Sequence, residues 1–324
     1  MSIPLKFHRQ EATTPLNYTV YINQGCLACD DVVSYILSHN LQPDIVDVDR
    51  DAQEPPIDLM VYPALFEGER LLAYGDDIKG MLHARYGANT PHPAIAASQE
   101  LLNGVRTGRP LEKTIEFLAG MDRATLAESL VSDDQRKVFW INLYNAFSHL
   151  MLQQNPKVIT TFQGRQQHFN KAEIIISGQA LSLNDIEHGL IRGSKVWWSR
   201  GYINKPVVNT FEREFRVRMP DLRIHFALNC GGASCPMIRF YEVEDINDQL
   251  DTATETFLIG DVRYDRETNE ASISSLFNWY AGDFGGRKGI LRLLRKYSAI
   301  PADSNPAIRY NSYSWEPVLN AFSS

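Results

Sequence analysis

The sequence predicts a small α/β domain followed by a larger, mostly helical α+β domain, on three observations. Residues 17–87 alternate between short β-rich runs and one clear helical face. Tyr86-Gly87-Ala88-Asn89-Thr90-Pro91-His92-Pro93 then collects turn and breaker residues, as a boundary does. Beyond it the apolar pattern settles into helical period, interrupted by a few β-rich stretches. With 324 residues, either part can bury its own core. The division expected is an N-terminal extension over 1–16, an α/β domain over 17–87, a linker over 88–94 and the α+β domain over 95–324.

Asn17-Tyr18-Thr19-Val20-Tyr21-Ile22 alternates and is β-rich, so it reads as a strand. Gly25-Cys26-Leu27-Ala28-Cys29 follows, and Val32, Val33, Tyr35, Ile36 and Leu37 supply a helix face. A Cys-x-x-Cys between strand and helix is the context in which the motif points to redox chemistry; a half zinc site is the competing reading. Cys26 falls at the helix N-terminus, where the dipole and free N–H groups lower a thiol pKa, and Cys29 can resolve a mixed disulfide. Ile45-Val46-Asp47-Val48-Asp49 is a second strand. Tyr62-Pro63-Ala64-Leu65-Phe66 leads through a proline into a third, Glu67-Gly68 turns the chain back, and Gly75-Asp76-Asp77 opens a last helix.

In these residues the segment 17–87 resembles a glutaredoxin-like domain of thioredoxin fold. The resemblance implies disulfide exchange through Cys26 and Cys29 and a cis-proline at Pro63. It also implies a seat for the γ-glutamyl end of glutathione at Gly75-Asp76-Asp77. Tyr62, Pro63, Gly75, Asp76 and Asp77 are therefore substrate-binding candidates. Glutathione is the one cofactor suggested, and the partner is a thiol or disulfide, glutathione or a protein. Leu27-Ala28 stands where the family usually has Pro-aromatic, and no lysine precedes Cys26.

In the larger part, Ile95 to Val105 and Leu111 to Leu118 read as helices, and Asp133 to Gln153 as a strong one with Phe139, Leu143, Phe147 and Leu150 in one apolar row. Asn142, Asn145 and His149 border that row; buried asparagines satisfying backbone groups are the plain explanation. Glu173 to Leu183 reads as a hairpin about Ser177-Gly178. Asn184 as N-cap with Glu187 three residues later predicts a helix start and explains both residues without function. His188 and Arg192, one turn apart, either share an anion or brace a structural contact.

Ile224-His225-Phe226-Ala227-Leu228-Asn229-Cys230-Gly231-Gly232-Ala233-Ser234-Cys235-Pro236 is the stretch richest in chemistry. Its apolar start reads as a strand, and Pro236 as the first residue of a helix. If residues 225–230 were fully extended, His225 and Cys230 would stand about 16 Å apart. The base for Cys230 is then His225 brought back by the Gly-Gly turn, or His188. Asn145, Asn229 or an N–H of the turn could stabilise an oxyanion or orient the imidazole. Small buried hydrophobes, or a disulfide, are the competing readings of the two thiols.

Phe139-Trp140-Ile141-Asn142-Leu143-Tyr144-Asn145-Ala146, the His225–Pro236 stretch and Ser274-Ser275-Leu276-Phe277-Asn278-Trp279-Tyr280-Ala281-Gly282-Asp283-Phe284 together resemble the family called domain of unknown function 547, over about residues 120–315. Its bacterial members keep both thiols, while plant members tend to have serine where Cys235 stands. The resemblance thus implies Cys230 as the essential thiol, with Cys235 near a capping position.

The helical stripe Val243, Ile246, Leu250, Ala253 and Phe257 reads as core, and the basic helix around Ile290–Leu294 as a solvated face over a core. Residues 309–315 read as a closing strand and turn. The net charge of −7 argues against a nucleic-acid binder. Neither the opening residues nor any later run has the apolar length of a signal peptide or a membrane span, so a soluble, cytoplasmic protein without stable membrane insertion is expected. Four cysteines in two close pairs fit redox, catalytic or metal use. The function expected is a thiol-dependent enzyme, joining disulfide exchange to Cys-His acyl-transfer or hydrolase-like chemistry, with no metal. The alternatives are a non-catalytic scaffold with a redox-sensing front module, and a four-cysteine zinc protein.

Overall fold

The computed structural model describes residues 18–38, 41, 43–51, 53–86 and 92–322. The expected extension over 1–16 and residues 88–91 of the expected linker lie outside these. The chain divides into two compact units, Met1–Thr90 and Pro91–Ser324, the first strand-rich and the second largely helical.

In the first unit, β1 (Tyr18–Ile22) pairs in parallel with β2 (Asp44–Asp47) and antiparallel with β3 (Ala64–Glu67). A turn at Gly68 sends β3 back into β4 (Arg70–Tyr74), giving the order β2-β1-β3-β4. The two-residue period of the strands sorts their side chains onto two faces. Val20 and Leu65 meet Val32 and Ile36 of α1 (Leu27–Ser38) and Ile78 and Leu82 of α2 (Asp77–Tyr86). Tyr21, Val46, Ala64 and Phe66 form a smaller cluster on the other face. The Tyr62–Pro63 peptide before β3 is cis.

The second unit opens with α3 (Pro93–Thr107), α4 (Glu112–Gly120) and α5 (Arg123–Ser129); α3 packs along α6 (Asp133–Gln154), and α4 and α5 pack on α3. A reciprocal cap between Ser132 and Gln135 starts α6 at the expected place. The helix is not one-faced: every residue from Gln135 to His149 is buried. Its polar side chains consequently need protein partners. Trp140 Nε1 donates to Phe215 O, and Asn142 both donates to Tyr241 O and accepts the Tyr241 N–H.

After α7 (Phe162–Asn170), β5 (Ile174–Ile176) and β6 (Gln179–Leu181) make the expected hairpin, with Ser177 and Gly178 both at positive φ. Asp185–Ile191 is a π-helical turn. Then come α8 (Thr210–Phe215), a 3-10 turn over Leu222–Phe226, and α9 (Ile246–Asp261). The chain closes with β7 (Arg263–Asp265), β8 (Glu270–Ile273), α10 (Leu276–Trp279), α11 (Gly286–Lys296) and β9 (Ala307–Tyr310). In their sheet, β8 runs antiparallel to β7 and parallel to β9. Ile290, Leu291, Leu293 and Leu294 of α11 face the core, as do Ile246, Leu250 and Ala253 of α9.

Three expectations are corrected. Pro236 opens no helix: the chain is irregular there and the next helix is α9, from Ile246. The apolar run from Ile224 is a 3-10 turn rather than a strand. Ile224, Ala227 and Leu228 enter one apolar cluster and Phe226 another, so the run is buried on several sides, and Asp221 Oδ1 caps it by accepting the Arg223 N–H. Asn184 does not cap the 185–191 turn. Ser182 and Asp185, with the same spacing two residues earlier, make the reciprocal bonds. Glu187 is thereby left for another role.

Candidate functional site

The π-helical turn fixes three neighbouring side chains. Its wide bonds, Arg192 N–H to Glu187 O and Ser194 N–H to Gly189 O, hold Glu187, His188 and Arg192 in a buried cluster. Such turns concentrate at functional sites. Arg192 is 1% exposed and bridges the cluster. Its Nε donates to Asp283 Oδ2 at 2.7 Å, its Nη1 donates to His188 Nδ1 at 2.6 Å, and its guanidinium lies over the Tyr280 ring. His225 Nε2 meets the same Asp283 Oδ2 at 2.8 Å, and its ring stacks on Tyr280. Glu187 accepts from Tyr280 Oη at 2.7 Å and Tyr144 Oη at 3.2 Å.

These bonds assign the protons. A guanidinium has only donors, so His188 Nδ1 accepts and the neutral ring carries its hydrogen on Nε2. Burial brings the His188 pKa down to about 4; Glu187 opposes this and is outweighed, Arg192, His225 and Lys205 adding to the lowering. Burial likewise lowers His225, against the pull of Asp283. Burial would raise Asp283, but the His225 and Arg192 hydrogen bonds hold it at about 2. Asp283 is thus a carboxylate, His225 Nε2 donates to it, and the basic lone pair of His225 is on Nδ1. Glu187 is also kept ionised: burial opposes this, and the charge of Arg192 and the hydrogen bond from Tyr280 prevail. Buried atoms without a partner among the described residues include Arg192 Nη2 and Asp283 Oδ1.

The cysteine loop is held from two sides. Asn145 Nδ2 donates to Ala227 O and its Oδ1 accepts the Asn229 N–H, while Asn229 donates to Pro236 O and accepts the Gly231 N–H. Residues 313–318 cover the other side, with Ala233 N–H on Glu316 O, Ser234 N–H on Ser314 O and Val318 N–H on Gly231 O. Gly231 has φ +84°, and a Cβ there would run into Leu152 Cδ1. A Cβ on Gly232 would stand 2.9 Å from Ser314 O, so Gly232 permits the close approach of residues 313–318, and Gly231 the positive φ and the contact with Leu152.

Cys230 and Cys235 are free thiols with sulfurs 2.6 Å apart. Cys235 Sγ accepts the Cys230 N–H at 3.2 Å, and Tyr313 Oη stands 3.1 Å from it and 3.6 Å from Cys230 Sγ. The contact with Cys235, with burial, pushes the Cys230 thiol well up. Burial would raise Cys235 too, but hydrogen bonds from Cys230, Tyr313 and the backbone bring it below an ordinary thiol. Of the two, Cys235 is thus the thiol that gives up its proton more readily. Among the described residues, neither imidazole is hydrogen-bonded to either thiol.

Cys230, His188, His225, Glu187 and Tyr313 line one cavity of about 520 Å³. Its apolar wall is aromatic, from Phe162, Phe169, Trp197, Trp198, Trp279 and Trp315, and Arg165 and Arg200 add cations. Trp197, Trp198 and Phe162 are each more than half exposed, an unusual arrangement for such large rings outside a binding surface. Arg192 is absent from this lining; the residue expected to bind substrate lies behind the histidines and positions them. Among the described residues, no three His, Cys, Asp or Glu side chains are arranged to hold a metal ion.

In the first unit, Cys26 and Cys29 form a disulfide. The N–H groups of Cys29 and Asp30 bond Cys26 O, so Cys26 opens α1, and the Cys29 N–H also points at Cys26 Sγ at 3.1 Å. Cys29 is buried, Cys26 part-exposed, and Cys26 Sγ lies 3.7 Å from Tyr62 O. Gly75 N–H donates to Pro63 O. Asp76 pairs with Lys79, and Asp77 begins α2.

Fold and site together define a helical α+β unit with a thiol pair and an imidazole–carboxylate network around an aromatic cavity. Residues 128–258 match the family described as protein of unknown function, DUF547, so a DUF547 domain occupies that part of the chain. No curated protein and no solved structure matches the chain. The matched segment carries Asn145, Glu187, His188, Arg192, His225, Cys230 and Cys235; Tyr280, Asp283 and Tyr313 follow it. No helix among the described residues is long and apolar enough to cross a membrane.

The sequence reading did not single out Asp283, Tyr280, Glu187, Tyr144 or Tyr313 as site residues. Glu187 was hidden by the false Asn184 cap. Residues 313–315, read as part of a closing strand and turn, carry Tyr313 to the thiols and Trp315 to the cavity. The one available signal was the acidic Asp283 in a Gly-rich aromatic stretch.

Proposed function

We propose that the protein is a thiol-dependent enzyme whose larger unit transfers or hydrolyses acyl groups on Cys230, joined to a thioredoxin-like unit that exchanges disulfides through Cys26 and Cys29. The observation that carries this is the convergence of Cys230, His188 and the Asp283-backed His225 on one cavity.

The sulfur of Cys230 attacks the carbonyl of an ester, thioester or amide, its proton passes to the Cys235 thiolate, the nearest base, and collapse of the adduct breaks the bond to the alcohol, thiol or amine, which leaves with that proton. The His188 Nε2–H faces the developing oxyanion as a neutral donor. His225 Nδ1, held by Asp283, takes the proton of the incoming water or amine and delivers it to the departing thiol. The aromatic wall favours an apolar acyl chain or an aromatic substituent. For the smaller unit, support comes from the sheet order and the disulfide at the start of α1.

The test incubates the full chain with activated aryl esters of aliphatic and aromatic acids and maps the acylated residue by mass spectrometry. An acyl group on Cys230 is expected, with Cys230→Ala lowering turnover by about a thousandfold. Equal turnover by that variant, or acylation elsewhere, ends the proposal.

A further inference from the structure

Cys235 lines a second cavity, of about 370 Å³, with Phe226, Phe257, Met237, Arg239 and Gly260 on its wall. Cys230 lines the aromatic cavity and not this one; Cys235 lines this one and not the aromatic cavity. The two sulfurs thus touch across the wall between two chambers.

We propose that Cys230 and Cys235 form a redox couple spanning the two cavities, with the second cavity the port for a low-mass thiol or disulfide that reacts at Cys235. Bond formation needs the sulfurs to approach by only about half an ångström. In the oxidising direction, the Cys235 thiolate attacks a disulfide RSSR, releasing RS⁻ and forming a mixed disulfide. Cys230 then loses its proton to solvent and attacks Cys235 Sγ, releasing the second RS⁻. The protein gives up two hydrogens, and RSSR becomes two RSH. Reduction reverses both steps: RS⁻ attacks Cys235 Sγ and Cys230 leaves as a thiolate into the aromatic cavity.

Three features place the entry at Cys235. The Cys230 N–H and Tyr313 Oη converge on its sulfur, stabilising the thiolate that begins the exchange. Arg239 puts a cation on the cavity wall, suited to a carboxylate-bearing thiol, while Asp261 is turned to the Ser274 N–H. At Gly260 nothing lies within 4 Å of where a side chain would begin, so the port is open there. The proposal concerns the free sulfur pair alone and does not depend on acyl transfer being the activity of the larger unit.

The test uses the full chain with Cys26→Ser and Cys29→Ser, treated with oxidised glutathione and read by intact mass. Loss of two hydrogens without an adduct is expected; unchanged thiols or a lasting adduct overturn the couple. The oxidised protein is then reduced with glutathione, with and without Gly260→Leu, which narrows the port, and Trp279→Ala, which widens the aromatic cavity. Reduction should slow about fivefold in the first and change less than about twofold in the second. A Gly260→Leu rate equal to the parent's, or a faster rate with Trp279→Ala, overturns the port.

Discussion

Cys26 and Cys29 stand three residues apart at the head of α1, and Cys26 Sγ meets Tyr62 O, 36 positions away. Cys230 and Cys235 sit in a loop whose Tyr313 comes from 78 positions beyond Cys235, with Asn145 reaching Asn229 across 84. The first pair borrows its environment from a helix start, which exists wherever the helix does. The second depends on distant segments and on a buried charge network beside its cavity. A locally built pair can open and close with little effect on its surroundings. A pair built from afar is sensitive to everything that holds those segments in register.

The strongest challenge to this contrast is Arg192→Met, which leaves Asp283 a buried carboxylate without its guanidinium. It should cost about 3–5 kcal/mol in urea unfolding of the second unit, with the alkylation rate of reduced Cys26 unchanged. A cost below about 1 kcal/mol, or an altered Cys26, would break the comparison. Asn145→Ala removes that residue's two bonds to the cysteine loop and should cost about 1–3 kcal/mol. Alkylation of Cys230 should rise and that of Cys26 stay constant; parallel changes at both would count against separate construction.

Acid tests the same contrast. His188 and His168 are held at about 4 by burial, against about 6.5 in an unfolded chain. Between those values the unfolded chain binds the extra protons. This contribution is complete above about pH 6.5 and is lost as pH falls toward 4, by up to about 1.4 kcal/mol per pH unit for each histidine. Asp283, at about 2, adds a further loss between the ordinary carboxylate range and that value. Urea midpoints between pH 7 and 4 that do not move would refute the assignment. The smallest effect is expected from Tyr313→Phe, which removes a hydroxyl from the thiol pair: the pH midpoint of Cys235 alkylation should rise by about one unit while that of Cys26 stays fixed.

What could be read from the residues follows the same division. The strand, Cys-x-x-Cys and helix order near Cys26 is contiguous, and the structure repeats it from Tyr18 to Ser38. The span of α6 was legible because Ser132 and Gln135 mark its start locally. The Asp283–His225 bond joins residues 58 apart and leaves no local signature. Glu187 was misread because Asn184 and Glu187 carry the same cap spacing as the operative Ser182 and Asp185. The run from Ile224 was misread because an apolar stretch without a period suits a strand or a buried turn equally.

The stitching of the cysteine loop to residues 313–318 also sets an order of events during synthesis. Ser234 emerges 80 residues before Ser314, whose N–H it receives. At ordinary elongation rates that is a delay of about 4–16 seconds, in which Cys230 and Cys235 are on a nascent chain without the segment that closes over them. Their thiols meet the surrounding redox chemistry first as unprotected neighbours and only afterwards as members of a finished chamber wall.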